Sequence, residues 1–216
     1  MIHLESILAL LEKYPNVTLV AVSKTVGASE VVSAYEQGLR HFGENKVQDA
    51  LPKMDAINLP ISWHFIGRLQ TNKVKKIAGR FAFIHSLDSV RLAVELDRVG
   101  KSIGQVFKCL VQVNASGEQT KQGLAPSMVP QFVADISAYS HVRVSGLMTM
   151  APASGSGSAR ETFRSVRRLY DELAAFSVPG VKMDHLSMGM SGDYEIALDE
   201  GSNMVRIGSA IFSNKN

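Results

Sequence analysis

Leu19-Val20-Ala21-Val22-Ser23-Lys24 is an apolar, partly β-branched run that ends in a lysine, and Thr25-Val26-Gly27 separates it from a helical pattern opening at Ala28-Ser29-Glu30. Such a run reads as a strand buried on both faces, the habit of parallel sheets. A lysine at its carboxyl end sits where an apolar wall meets a ligand-accessible rim. Loss of water there disfavours the ammonium, lowers its pKa and leaves part of the population as a free amine able to form a Schiff base. From these six residues alone, a solvated strand-end lysine is the commoner outcome. The rest of the chain shifts that balance.

Outward from this run, strands and helices alternate. Leu4, Ile7, Leu8 and Leu11 repeat at helical spacing ahead of it, predicting a leading amphipathic helix that ends near Tyr14-Pro15. After it, Val31 to Tyr35 start a helix closed by Gly38, and His41 to Asn45 form a second strand with a helix from Val47 to Met54. Trp63 to Gly67 and Phe81 to Ser86 follow as strands, with helices over Asn72 to Ala78 and Ser89 to Val99, the last capped by Gly100. Phe107 to Asn114, Val142 to Met150, Met183 to Met188 and Met204 to Gly208 complete the strands, with helices over Pro126 to Tyr139, Ala159 to Phe176 and Tyr194 to Leu198, and a terminal segment Ser209 to Phe212. The Gly/Ser-rich stretch Ala151 to Ser158 could link two domains. The alternation resumes beyond it with the same period, which favours a long βα loop.

Eight strand-then-helix units predict an α/β protein with a (β/α)8 TIM barrel, a single domain over residues 1–216 with a leading helix. An open doubly wound sheet is the alternative. No Gly-x-Gly-x-x-Gly follows the first strand and there is no Walker-type loop, so neither nucleotide fingerprint supports it.

Composition bounds the function classes. The chain has 216 residues, 45% apolar and 20% charged, as in an ordinary globular protein with one substantial core. No apolar run approaches the roughly 20 residues that span a membrane. Met1-Ile2-His3-Leu4-Glu5 lacks a basic leader, which argues against a signal peptide. A lone cysteine, Cys109, excludes an internal disulfide and a cysteine-built zinc site and reads as a small buried hydrophobe. All of this predicts a cytoplasmic protein. The net charge is +3, and its clusters, Lys73, Lys75, Lys76 and Arg80, then Arg164, Arg167 and Arg168, lie in helical patterns without an interleaved aromatic platform. They read as solvated helix faces, not as a nucleic-acid site.

A barrel demands functional residues at the carboxyl ends of its strands. Lys24, Glu44-Asn45, His64 and Gly67, Asn114, Met148 to Met150, Ser187 to Ser191 and Arg206 to Ser209 all fall there. Barrels commonly bind phosphate with the loops after strands seven and eight. Ser187-Met188-Gly189-Met190-Ser191-Gly192 and Gly208-Ser209 offer hydroxyls and close backbone N–H groups for an anion. Glycines at strand-to-helix turns are common for conformational reasons, so each loop alone is weak evidence. Together, across from a strand-one lysine, they describe a site for a phosphorylated carbonyl compound.

The same residues carry a family resemblance. Ala21-Val22-Ser23-Lys24, Phe42-Gly43-Glu44-Asn45-Lys46-Val47-Gln48, His64-Phe65-Ile66-Gly67-Arg68-Leu69-Gln70-Thr71-Asn72-Lys73, Gly146-Leu147-Met148-Thr149-Met150, Leu186 to Ser191 and Met204 to Phe212 resemble, in order and spacing, the pyridoxal phosphate homeostasis protein family. Those proteins are similar to the barrel domain of alanine racemase and eukaryotic ornithine decarboxylase standing alone. The resemblance implies that Lys24 forms the Schiff base with pyridoxal 5′-phosphate (PLP), and that Ser191, Gly208 and Ser209 hold its phosphate, with Ser187 nearby. It also implies that Arg206 faces the pyridine nitrogen and that Asn45, His64 and Met148 line the ring pocket. An arginine cannot stabilise a protonated ring nitrogen as an aspartate does, which makes a poorer electron sink. For His64 a packed, hydrogen-bonded rim residue is an equal reading. Asn114, Glu118, Lys121 and Gly123 match a further family stretch; of these, Lys121 could contact the phosphate region or a transferred cofactor. The family pattern has tyrosine at Lys46, threonine at Asn203 and Ser209, and glycine at Ser213; Lys46 adds a second amine near the cofactor mouth.

Racemases with this barrel need a second, β-rich domain and a residue from a partner subunit, and here the chain stops a few residues after the eighth strand. The expectation is therefore a monomeric PLP-binding protein, without a metal and without turnover, that stores, buffers or delivers the cofactor. Its partners would be PLP itself and, transiently, PLP-dependent apoenzymes. A slow PLP-dependent amino-acid racemase and a cofactor-free Schiff-base aldolase acting on a sugar phosphate are the rival enzyme readings.

Overall fold

β1 (Thr18–Val22) lies between β2 (His41–Glu44) and β8 (Met204–Ile207), parallel to both, with Val20 opposite His41 on one side and Arg206 on the other. That pairing of first strand with last closes the sheet. The remaining staves are β3 (Ser62–Phe65), β4 (Phe83–Leu87), β5 (Phe107–Val113), β6 (Val142–Thr149) and β7 (Val181–Ser187), each parallel to its neighbours in chain order. The computed structural model describes residues 4–117, 122–152, 156–176 and 178–213. The sequence reading of a (β/α)8 barrel holds.

Helices fill the crossovers: α1 (Leu4–Leu11) leads, followed by α2 (Ala28–Glu36), α3 (Val47–Asp55), α4 (Val74–Ile77), α5 (Val90–Ile103), α6 (Val129–Ile136), α7 (Ser156–Ala174), α8 (Tyr194–Asp199) and α9 (Ser209–Phe212). The main core lies between barrel and helices, where Phe42, Phe65 and Phe163 are almost wholly buried. Closing the sheet takes both faces of most strand residues out of water, which is why β1 reads as a continuous apolar run, whereas β7 leaves Lys182 and Asp184 exposed. A smaller apolar group, Val20, Leu110, Met148 and Met204, sits apart from the main core, with Phe83 and Met150 packed against it. Cys109 is buried, and burial pushes its thiol pKa up, so it stays protonated and inert.

Several boundaries differ from the sequence reading by a few residues, and for three of them the cause is visible. β1 ends at Val22, not at Lys24, because the Ser23 carbonyl accepts from Val26 N–H in a turn (3.1 Å) and from the Lys53 ammonium (2.7 Å), which stops the ladder. α5 runs through Gly100 to Ile103 and is closed by Gly104 in the left-handed conformation (φ 68°). Gly100 is a packing glycine: a Cβ there would stand 2.6 Å from both the Gln105 carbonyl oxygen and His141 Cβ. The helix expected over Asn72 to Ala78 begins as a 3-10 turn (Thr71–Lys73) that leads into α4. Of the Gly/Ser-rich stretch Ala151 to Ser158, the last three residues open α7, earlier than the sequence reading placed that helix, and residues 153–155 lie outside the described ones; β6 and β7 on its two sides pair in one barrel.

No described helix is long and apolar enough to cross a membrane. In the basic clusters Arg80 pairs with Asp55, Arg164 with Glu200 and Arg167 with Asp171, the behaviour of solvated helix faces.

Candidate functional site

A cavity of about 740 Å³ opens at the carboxyl end of the strands. That is the size of a pocket for a small organic ligand. Lys24, Asn45, Met148, Ser191, Arg206, Gly208 and Ser209 all contribute to its wall. The remaining wall is mostly apolar, from Val22, Val26, Ile66, Met150, Met190 and Phe212. Among the described residues, the only charged side chains lining it are those of Lys24 and Arg206, so the site carries two positive charges and no carboxylate. An anionic ligand would supply the missing charge.

Lys24 is carried on a rigidly mounted turn. The residue before it, Ser23, donates from its backbone N–H to the Gly43 carbonyl (3.0 Å) and from Oγ to Glu44 Oε1 (2.6 Å). The Lys53 ammonium donates both to Glu44 Oε1 (2.7 Å) and to the Ser23 carbonyl. Glu44 is fully buried, and its second oxygen, Oε2, has no hydrogen-bond partner. β2 and α3 therefore hold Ser23 on three sides and leave Lys24 to project. Lys24 itself is exposed, so the fold does not bury its amine as the sequence reading expected; the rim of the barrel is open at that point.

Arg206, from β8, is almost fully buried at the floor of the cavity. Its Nη1 donates to Ser187 Oγ (2.6 Å) and its Nη2 to the Thr149 carbonyl (2.9 Å), both neutral acceptors. Burial lowers its pKa to about 10, so it stays protonated at neutral pH. Beneath it, Ser187 Oγ lies 3.2 Å from His85 Nδ1, His85 Nε2 lies 2.9 Å from His64 Nδ1, and His64 Nε2 lies 3.0 Å from His41 Nδ1. Burial pulls His64 down to about 3 and His85 well below the ordinary imidazole value, so both are neutral. Phe83 stacks on the His64 ring with centroids 5.2 Å apart. Among the described residues no group of three or more His, Cys, Asp or Glu side chains is arranged to hold a metal ion.

Where β8 ends beside β1, the Ser191 hydroxyl oxygen accepts from the backbone N–H groups of Gly208 and Ala210, both at 3.3 Å. The loop after β7 thus meets the start of α9 where the sequence placed an anion cup. Gly67 permits another close meeting: a Cβ there would overlap the Asn45 carbonyl, so the loops after β2 and β3 touch through bare backbone.

Of the nine sequence-predicted residues, His64 and Ser187 do not reach the cavity wall; both are fully buried in the layer below. His64 is the packed, hydrogen-bonded residue of its alternative reading. Barrel strands place successive inward side chains at different depths, and depth is not visible in a sequence. Lys46 is exposed and is not part of the wall, whereas Ser213 is. Asn203 ties strands together, accepting from Leu186 N–H (2.7 Å) and donating to the Asp184 carbonyl (2.8 Å). Glu118 and Lys121 lie outside the described residues. The sequence reading missed the apolar wall and missed His85, whose only signal was its place in the fourth strand, next to Ser86.

Comparison with known proteins agrees with this geometry. A family model described as the N-terminal domain of alanine racemase matches residues 4–215. A pyridoxal phosphate homeostasis protein of Aquifex aeolicus is 41% identical over 199 residues, covering 91% of this chain and 86% of its own. The solved structure of PipY from Synechococcus elongatus without PLP aligns with a TM-score of 0.88 at 36% identity, covering 95% of this chain and 98% of that one. PipY with PLP bound aligns at 0.87 and 35% identity, with the same coverage.

Proposed function

The chain belongs to the family of the alanine racemase N-terminal domain, and within it to the pyridoxal phosphate homeostasis proteins; from that premise we propose that it binds PLP reversibly and stores, buffers or delivers it in the cytoplasm. The observation that carries the proposal is that, among the described residues, the cavity pairs one projecting amine with one buried guanidinium and no carboxylate. When bound, PLP supplies an aldehyde that condenses reversibly with a primary amine and releases water.

The residues present fit that group. Among the described residues, Lys24 is the only amine on the wall. Ser191, Gly208 and Ser209 would take the phosphate; its oxygens can replace the Ser191 hydroxyl as acceptor for the Gly208 and Ala210 N–H groups. Arg206 would donate to the ring nitrogen from below, and Asn45 and Met148 would bound the ring. Ser187 and His64 would support Arg206 without touching the ligand.

We assign no turnover to the chain itself. Moving a proton between the two faces of a substrate needs two acid–base groups. Among the described residues the wall carries Lys24 and no histidine, tyrosine, cysteine or carboxylate to serve on the other face. The open mouth suits exchange of the cofactor with an incoming amine.

Adding PLP to the purified protein should produce a visible absorption band that borohydride makes permanent on a peptide containing Lys24, and Lys24→Ala should show neither. Trapping on another lysine would overturn the assignment. Incubating the loaded protein with a single-enantiomer amino acid in deuterated water should leave the α-proton in place. Rapid exchange there would make the chain an enzyme.

A further inference from the structure

Arg206, Ser187, His85, His64 and His41 touch one another in sequence at 2.6, 3.2, 2.9 and 3.0 Å, through the barrel interior from the cavity floor to the first residue of β2. Ser187, His85 and His64 are fully buried, and His41 is half-buried at the opposite end of the barrel. Burial lowers the pKa of all three imidazoles, so at neutral pH each carries one N–H and one bare nitrogen. A chain of such groups has only two defect-free arrangements, and the ends decide between them.

The guanidinium can only donate. It therefore takes a lone pair of Ser187 Oγ. If the Ser187 hydroxyl then donates to His85 Nδ1, His85 carries its proton on Nε2 and donates to His64 Nδ1. His64 in turn donates from Nε2 to His41 Nδ1, and His41 presents Nε2–H at the outer end. Every buried donor and acceptor is used. In the reverse arrangement each imidazole carries its proton on Nδ1, and the Ser187 hydroxyl hydrogen is left without an acceptor in a buried site. A buried donor without a partner disfavours that arrangement.

We propose that these residues form one oriented hydrogen-bond chain, all three imidazoles in the Nε2–H form, that positions Arg206 and couples the cavity floor to the far end of the barrel. Ser187, His85 and His64 are positioning residues in this scheme. By committing the serine hydroxyl to His85, the chain keeps a lone pair turned toward Arg206 and supplies no negative charge that would compete with a ligand. The role in PLP binding rests on the function proposed above; the orientation of the chain does not.

The chain also resists protonation from the far end. A proton on His41 would have to sit on Nδ1, facing the N–H of His64. Of the charged and titratable groups at that end, His185 on β7 acts on His41 directly, Asp184, Lys182 and Lys108 surround His185, Arg40 precedes His41, and Arg143 pairs with Lys108 across β5 and β6.

Nitrogen-15 NMR of the cofactor-free protein reads the tautomers directly. His41, His64 and His85 should each show a proton on Nε2 and a bare Nδ1. Ser187→Ala removes the anchor, so His64 and His85 should become mixed tautomers and His41 should titrate about one pH unit higher, the effect of one hydrogen bond to its neutral form. Nδ1–H forms in the native protein, or tautomers and titration that Ser187→Ala leaves unchanged, overturn the chain. The native pattern alone decides should the variant not fold. A protein that shows the predicted tautomers yet takes up no PLP refutes the function and leaves the chain standing. One that takes up PLP with the wrong tautomers does the reverse.

Discussion

At the scale of single residues, Glu44 is the most demanding group in the fold. Its carboxylate is fully buried, one oxygen shared by the Ser23 hydroxyl and the Lys53 ammonium and the other without a partner. A buried ion pair adds little net stability, since desolvating both charges offsets their attraction, but removing one partner strands the other. Lys53→Met should therefore lower the free energy of unfolding by about 3–5 kcal/mol, measured by denaturant titration. Glu44→Gln, which keeps an oxygen acceptor for Ser23, should cost less than Lys53→Met. Equal losses would mean that the pair acts only through packing. Because Ser23 precedes Lys24, both substitutions should also loosen the mount of the projecting amine.

Between elements, the site is made by loops that meet at one end of the barrel. The loops after β2 and β3 approach so closely that only glycine fits at position 67, its missing Cβ leaving room for the Asn45 carbonyl. Gly67→Ala should push Asn45 and the cavity wall outward while leaving the main core, which lies beneath the helices, intact. The expected result is PLP binding weakened by about tenfold, equivalent to about 1.4 kcal/mol, in an absorbance titration. Unchanged binding would show that the two loops adjust independently. The same level explains why the eight elements were readable in order. Each βα unit carries its own period and its own stop signals, as in Val47 to Asp55 or Ser209 to Phe212. Gly100 was misread as a stop because a packing glycine and a capping glycine look alike without the partner, here His141, that sits against it.

Over the whole molecule, the imidazoles of the barrel interior make stability depend on pH. Burial pulls His64 down to about 3, and His85, His41 and His185 are also pulled below their ordinary value. In the unfolded chain each returns to near 6.5. A lowered folded value means that protons prefer the unfolded chain, so this contribution is complete above about pH 6.5 and is lost as pH falls toward the folded values. Each histidine that is charged only when unfolded adds a slope of about 1.4 kcal/mol per pH unit. Denaturant midpoints should fall from about pH 6.5 to about pH 5.5, above the window where most carboxylates titrate, and His64→Gln should flatten that fall. A midpoint constant over the window would mean that these rings take up protons in the folded state.

By itself the sequence determined the barrel, the order of its strands and the end at which the cavity opens. Backbone periodicity is local, and a parallel strand followed by a helix delivers its terminal residues to one face whatever the rest of the chain does. It also determined Lys24, Asn45, Met148, Ser191, Arg206, Gly208 and Ser209 as the residues that meet there, as the cavity wall shows. Tertiary structure alone decided depth and company: that β1 stops two residues short of Lys24, that His64 and Ser187 lie below the cavity, and that three histidines spaced 23 and 21 residues apart touch end to end. The reason is geometric. Which inward side chain stands at which level depends on the tilt and stagger of all eight strands at once, and no single strand carries that information.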